Sequence, residues 1–154
     1  MGAGADKRAA PGAAPNLAEL LFAVANALAL PTWVAMAAFP AHAYTAPLVK
    51  AVAVLNSLVY VVSLARGGAV EGASFSTLRG VSNIFRRGSD LVLNGCWTHY
   101  LVVDSLVGLM ISQDALKEGI PQALVAPCLL ATLMFGPVGF TAYAGVKYAC
   151  TGRF

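Results

Sequence analysis

The chain has 154 residues, of which 58% are hydrophobic and 11% charged, with a formal net charge of +3. Soluble domains carry about 25% charged residues, and a fold this small leaves much of its surface facing outward, so lipid is the expected solvent for most of the chain. The small charge, with no interleaved basic and aromatic run, excludes nucleic acid as a partner.

Residues 1–16 are rich in Ala, Gly and Pro and read as a disordered tail. The chain starts Met1-Gly2, but Asp6 stands where a myristoylation signal needs Ser or Thr. A spanning helix needs about 20 mostly apolar residues, and four stretches qualify: 17–39, 47–64, 90–111 and 121–148. The first contains Pro31, where a kink is expected, and stops at Pro40. In the second, Lys50 can snorkel from the start of the span.

Between the second and third spans lies a break rich in Gly, Ser and Arg. Within it, Phe75 to Phe85 reads either as a short interfacial helix that turns Phe75, Leu78, Val81 and Phe85 to lipid or as an ordinary loop. The fourth span carries Pro127 and Gly136-Pro137, which predict a bend, and residues 149–154 form a C-terminal tail. The expected fold is therefore all-α: an integral membrane domain of four transmembrane helices over residues 17–148. A re-entrant first span, leaving three crossings, is the topological alternative. Four crossings place Lys7, Arg8, Arg66, Arg79, Arg86, Arg87, Lys147 and Arg153 on one side and only Lys50 and Lys117 on the other. That asymmetry predicts both termini on the cytoplasmic or stromal side.

The third span holds Asn94, Trp97, Thr98, His99, Tyr100 and Asp104. Ionisable groups within a membrane are costly, so each needs a partner or a role. Trp97, Tyr100, Asp104 and Gly108 fall on one helical stripe. His99 lies about 140° around the helix from Asp104, so the two do not form a direct dyad. Asp104 has two readings: a protonated acid that gives its proton to a ligand oxygen, or interhelical glue bonded to a polar group or to a carbonyl freed by Pro127 or Pro137. His99 reads as a core residue, an acid/base or a pigment ligand. With only His42 and His99 and no ExxH or HxxxH pair, a di-iron site is excluded and no metal is expected. Cys96, Cys128 and Cys150 form no CxxC pair and read as small apolar residues. No GxSxG, Walker loop or dinucleotide fingerprint is present. Gly136-Pro137-x-Gly139, with Ala131 and Ala142, signals close helix packing.

Trp97-Thr98-His99-Tyr100-Leu101, Asp104 and Val107-Gly108 together resemble the W-x-H-Y-L-x-x-D-x-x-V-G signature of the ABA-deficient-4-like family. The later run of Asp114, Gly119-Ile120-Pro121, Pro127-Cys128-Leu129-Leu130 and Phe135-Gly136-Pro137-Val138-Gly139 resembles it too. Pro31-x-Trp33, Pro40 and Gly80-Val81 fit more loosely. The resemblance implies a small four-helix membrane protein of plastid thylakoid or envelope, or of bacteria, tied to xanthophyll metabolism and to making neoxanthin from violaxanthin. That reaction is a cofactor-free isomerisation: an epoxide opens, a neighbouring carbon loses a proton, and an allene results. On this reading Asp104, His99 and Tyr100 are the catalytic positions, and Trp97, Asn94, Gly108 and Pro137 bind the carotenoid. Family members often carry a basic residue where this chain has Leu109. The competing reading is an accessory subunit of a photosystem or its antenna, packed against other membrane subunits and holding carotenoid or chlorophyll, with His99 as an axial ligand. A transporter is disfavoured, since four helices without an inverted repeat are few for alternating access.

Overall fold

The computed structural model describes residues 16–153; the expected disordered tail therefore lies outside the described residues except for Asn16. Among them the fold is all-helical: α1 (Leu17–Ala38), α2 (Thr45–Gly67), α3 (Leu78–Arg87), α4 (Asp90–Glu118), α5 (Gln122–Phe135) and α6 (Pro137–Thr151).

Each boundary has a local chemical cause. Asn16 and Glu19 form a reciprocal capping box at the start of α1, with both side chain–backbone hydrogen bonds at 3.0 Å. The Thr77 hydroxyl caps α3 by accepting from the Gly80 N–H at 3.1 Å. Ser89 caps α4 and donates to the Gly67 carbonyl at 2.8 Å, tying the end of α2 to the start of α4. Gly119, at φ 68°, ends α4 in the left-handed conformation that spares it a side-chain clash.

α1 and α4 run parallel. Phe22 meets Trp97 near their starts (ring centroids 5.9 Å apart), and Trp33 packs on Gly108 further along. α2 returns between them. Its Asn56 amide donates to the Ala25 carbonyl at 3.2 Å, and its Ser63 hydroxyl accepts from the Asn94 amide at 2.9 Å. Trp33, Met36, Val49, Leu109, Ile111, Val125, Leu129 and Tyr143 form the main core. α1 and α2, of 22 and 23 residues, are long and apolar enough to cross a membrane. α4, at 29 residues, extends about 43 Å, but it carries the polar groups noted above.

The last third of the chain departs from expectation. Residues 121–148 do not make one bent span. At Gly136 (φ 37°, ψ −89°) the chain reverses, and α5 and α6 pack against each other as a helical hairpin. A Cβ on Gly139 of α6 would collide with the Thr132 and Cys128 backbone of α5, a contact that a continuous helix could not make. Each arm, of 14 or 15 residues, is about 21–23 Å long, half the height of α4. The hairpin leaves from the far end of α4, where the Gln122 side chain donates to the Met36 and Ala37 carbonyls at 3.1 and 2.8 Å. It turns beside the middle of α4 and comes back to the same end. The start of α1 and the end of α6 thus lie at opposite ends of the bundle, so the described residues do not bear out the four-crossing count or a shared side for the two ends of the chain. Lys147 and Arg153 move to the end that holds Lys50 and Lys117, so among the described residues each end carries four basic side chains and the asymmetry is gone. Ion pairs fix the returning arm: Lys147 to Asp114 at 2.8 Å and Arg153 to Glu118 at 2.8 Å. Of residues 75–85, where a short helix was expected, Leu78 to Phe85 are helical and the helix, α3, runs on to Arg87, with Phe75 outside it.

Candidate functional site

Because the hairpin fills only half the height, a notch of about 280 Å³ remains beneath its tip. Trp33 of α1, Trp97, Tyr100, Leu101 and Asp104 of α4, and Leu133–Pro137 of the tip line it. The stripe read from helical periodicity accounts for the α4 wall. Trp97, Tyr100 and Asp104 face the notch together, and Pro137 forms part of its roof. Trp97, Tyr100, Met134 and Phe135 are exposed, so the notch opens sideways to the outside of the bundle.

Asp104 is half-buried there and makes no hydrogen bond or ion pair with any described residue. Its carboxyl lies against Gly136: a Cβ at that glycine would stand 2.7 Å from Oδ1. The glue reading of Asp104 required a bond to a polar side chain or a freed carbonyl, and no such bond is present among the described residues. The hydroxyl and thiol nearby serve α5 instead. Thr132 donates to the Cys128 carbonyl at 2.8 Å, and Cys128 to the Leu124 carbonyl at 3.4 Å.

The other expected site residues divide. Trp97 is held in place, its indole N–H donating to the Asn26 side chain of α1 at 3.2 Å. His99 is exposed and lies away from the notch, its ring 6.0 Å from those of Tyr60 and Tyr100. Asn94 reaches across to Ser63 of α2 and lines a neighbouring cleft with Glu19, Phe22 and Trp97; its amide oxygen is buried without a donor among the described residues. Gly108 supports the notch from behind. A Cβ there would stand 2.8 Å from the Trp33 ring, so the glycine lets Trp33 sit against α4. Leu109 is buried in the apolar core and does not line the notch.

Two participants escaped the sequence reading. Trp33 is 5% exposed, lines the notch and keeps a buried indole N–H with no acceptor among the described residues. Asn26 orients Trp97. A spacing pattern within one helix cannot show that α1 lies parallel to α4 and supplies both.

At the far end of α4, beyond its apolar stretch, Asp114 accepts from the Tyr143 hydroxyl at 2.6 Å and from the Lys147 ammonium at 2.8 Å. The Lys147 bond, then the Tyr143 bond, holds the Asp114 carboxyl below its usual range. The bond from Arg153 does the same for Glu118. Among the described residues no three His, Cys, Asp or Glu side chains converge to hold a metal, and Cys96, Cys128 and Cys150 are all free thiols.

Leu20, Leu30 and Val34 of α1, Val54, Leu58 and Val61 of α2, and Leu130, Met134 and Val138 of the hairpin all face outward. Among the described residues the fold is thus an all-helical bundle with an apolar exterior, two helices long and apolar enough to cross a membrane, and a lateral notch that contains one carboxyl without a hydrogen bond. A family model for ABA DEFICIENT 4-like proteins matches residues 20–143, and the chain belongs to that family. No curated protein and no solved structure matches it.

Proposed function

We propose that this chain is an integral membrane protein of xanthophyll metabolism, and that the notch under the hairpin tip receives the epoxidised end group of a carotenoid from the bilayer. The reading implies a plastid envelope or thylakoid location and the isomerisation of violaxanthin to neoxanthin, performed alone or as helper to another protein. The observation that carries it is the carboxyl of Asp104, half-buried at mid-height in an apolar notch and bonded to no protein group. One of its oxygens delivers the proton to the epoxide oxygen as the C–O bond breaks, and the other takes the proton from the neighbouring carbon. The allene and hydroxyl form, the acid is regenerated, and no oxidant or reductant is consumed. Trp97 and Tyr100 supply flat apolar walls for a ring.

The test is expression in a host that accumulates violaxanthin, followed by pigment chromatography. Wild type should yield an allenic product, and Asp104→Asn should not. Identical profiles from the two, with no allene in either, would remove the enzymatic reading.

A second reading, a pigment-holding accessory subunit, is favoured by His99, whose exposed imidazole on the outer face lies beside Tyr60 and Tyr100. On this reading His99 would serve as the axial ligand of a chlorophyll that approaches from lipid. Stoichiometric chlorophyll in the purified wild type, lost in His99→Leu, would select this reading; pigment-free protein would reject it.

A further inference from the structure

We propose that α3 and the residues leading into it form a docking surface for the anionic headgroup layer of the membrane, a role that rests only on the bundle being membrane-embedded and not on its carotenoid chemistry. α3 shares no extensive packing surface with any other helix. It is held by its own loop: the Asn83 amide donates to the Gly72 carbonyl at 2.9 Å, and Gly80, its one buried residue, packs on Ser74. Phe75 and Leu78, in contrast, are 91% and 87% exposed.

At 100° per residue Leu78, Val81 and Phe85 share one face of α3, while Arg79 and Arg86 share another with Arg87 beside them. Arg66, at the end of α2, adds a fourth cation at the same end of the bundle. Against these stand Glu71, paired with Arg87 at 3.7 Å, Asp90 at the start of α4 and Glu19 in the first turn of α1, whose side chain accepts from the Asn16 N–H. Arg66, Arg79 and Arg86 have no carboxylate partner among the described residues. Apolar side chains on one face and unpaired guanidinium groups on the other match a headgroup–acyl boundary with acidic lipids. Each basic group near such a surface contributes about 1 kcal/mol, roughly fivefold in partitioning. The two unpaired arginines of α3 together should give more than tenfold.

The test is backbone hydrogen exchange on the full-length protein in nanodiscs of neutral lipid alone or with added anionic lipid. Residues 75–87 should exchange at least tenfold more slowly in the anionic discs, and α1 and α2 equally slowly in both. Arg79→Gln/Arg86→Gln should abolish the difference, while Phe75→Ser/Leu78→Ser should raise exchange in both discs. Equal exchange of 75–87 in the two lipids, with α1 and α2 still protected, overturns the proposal and leaves the notch reading intact. So does a difference that survives the double arginine variant. Protection reproduced by inorganic phosphate over neutral discs, at matched ionic strength, would reassign the site to free phosphate and also overturns it. Loss of protection in α1 and α2 would instead remove the membrane reading on which the proposal stands.

Discussion

The backbone of Gly136 lies against the carboxyl of Asp104, so close that a methyl group on the glycine would stand 2.7 Å from Oδ1. The turn of the hairpin and the acid of the notch are thus one structural unit. The glycine also takes φ 37° and ψ −89°, a combination costly for residues with a Cβ.

Gly136→Ala should therefore destabilise the protein by about 1–3 kcal/mol and alter the notch. Gly145→Ala, in α6 with nothing within 4 Å of its new methyl, should be neutral or slightly stabilising. Thermal melting in detergent compares the two. Equal melting temperatures would mean that the tip does not press on α4.

Asp104 and Asp114 lie ten residues apart on one helix and should respond oppositely to the same substitution. Asp104→Asn breaks no hydrogen bond, so stability should stay within about 1 kcal/mol of wild type while the notch loses its acid. Asp114→Asn weakens the bonds from Tyr143 and Lys147 and should cost on the order of 1–3 kcal/mol. Melting curves together with pigment profiles separate a functional carboxyl from a structural one.

The Asp114–Lys147 and Glu118–Arg153 pairs make stability depend on pH. Both carboxyls are held below their ordinary values of 3.8 and 4.5. Their contribution is present in full above those values and is lost as pH falls through the lower values of the folded state. The melting temperature should thus fall on acidification below about pH 4. Asp114→Asn should flatten part of that slope, measured by melting across a pH series in detergent.

The hairpin makes a topological prediction as well. In sealed vesicles an impermeant maleimide should reach Cys150 from the side opposite to a cysteine placed at Glu71, in a Cys96→Ser/Cys128→Ser background. Labelling of both from one side would require α5 and α6 to form a single crossing.

The helical class, the positions of the long apolar elements and the Trp97–Tyr100–Asp104 stripe are properties of local sequence. Apolar run length and 3.6-residue periodicity act within one helix, and each of these helices keeps them. The break at Gly136-Pro137 was also legible, but its angle was not. A glycine followed by a proline permits a bend or a reversal equally. What selected the reversal is the packing of Gly139 against Thr132 and the pull of Asp114 and Glu118 on Lys147 and Arg153. Those contacts join residues more than thirty positions apart, or two helices face to face, and no periodicity encodes them. The same holds for the notch: α4 carries one wall in its own sequence, whereas Trp33, Asn26 and the hairpin roof arrive only when α1 lies parallel to α4 and α5–α6 stops at half its height.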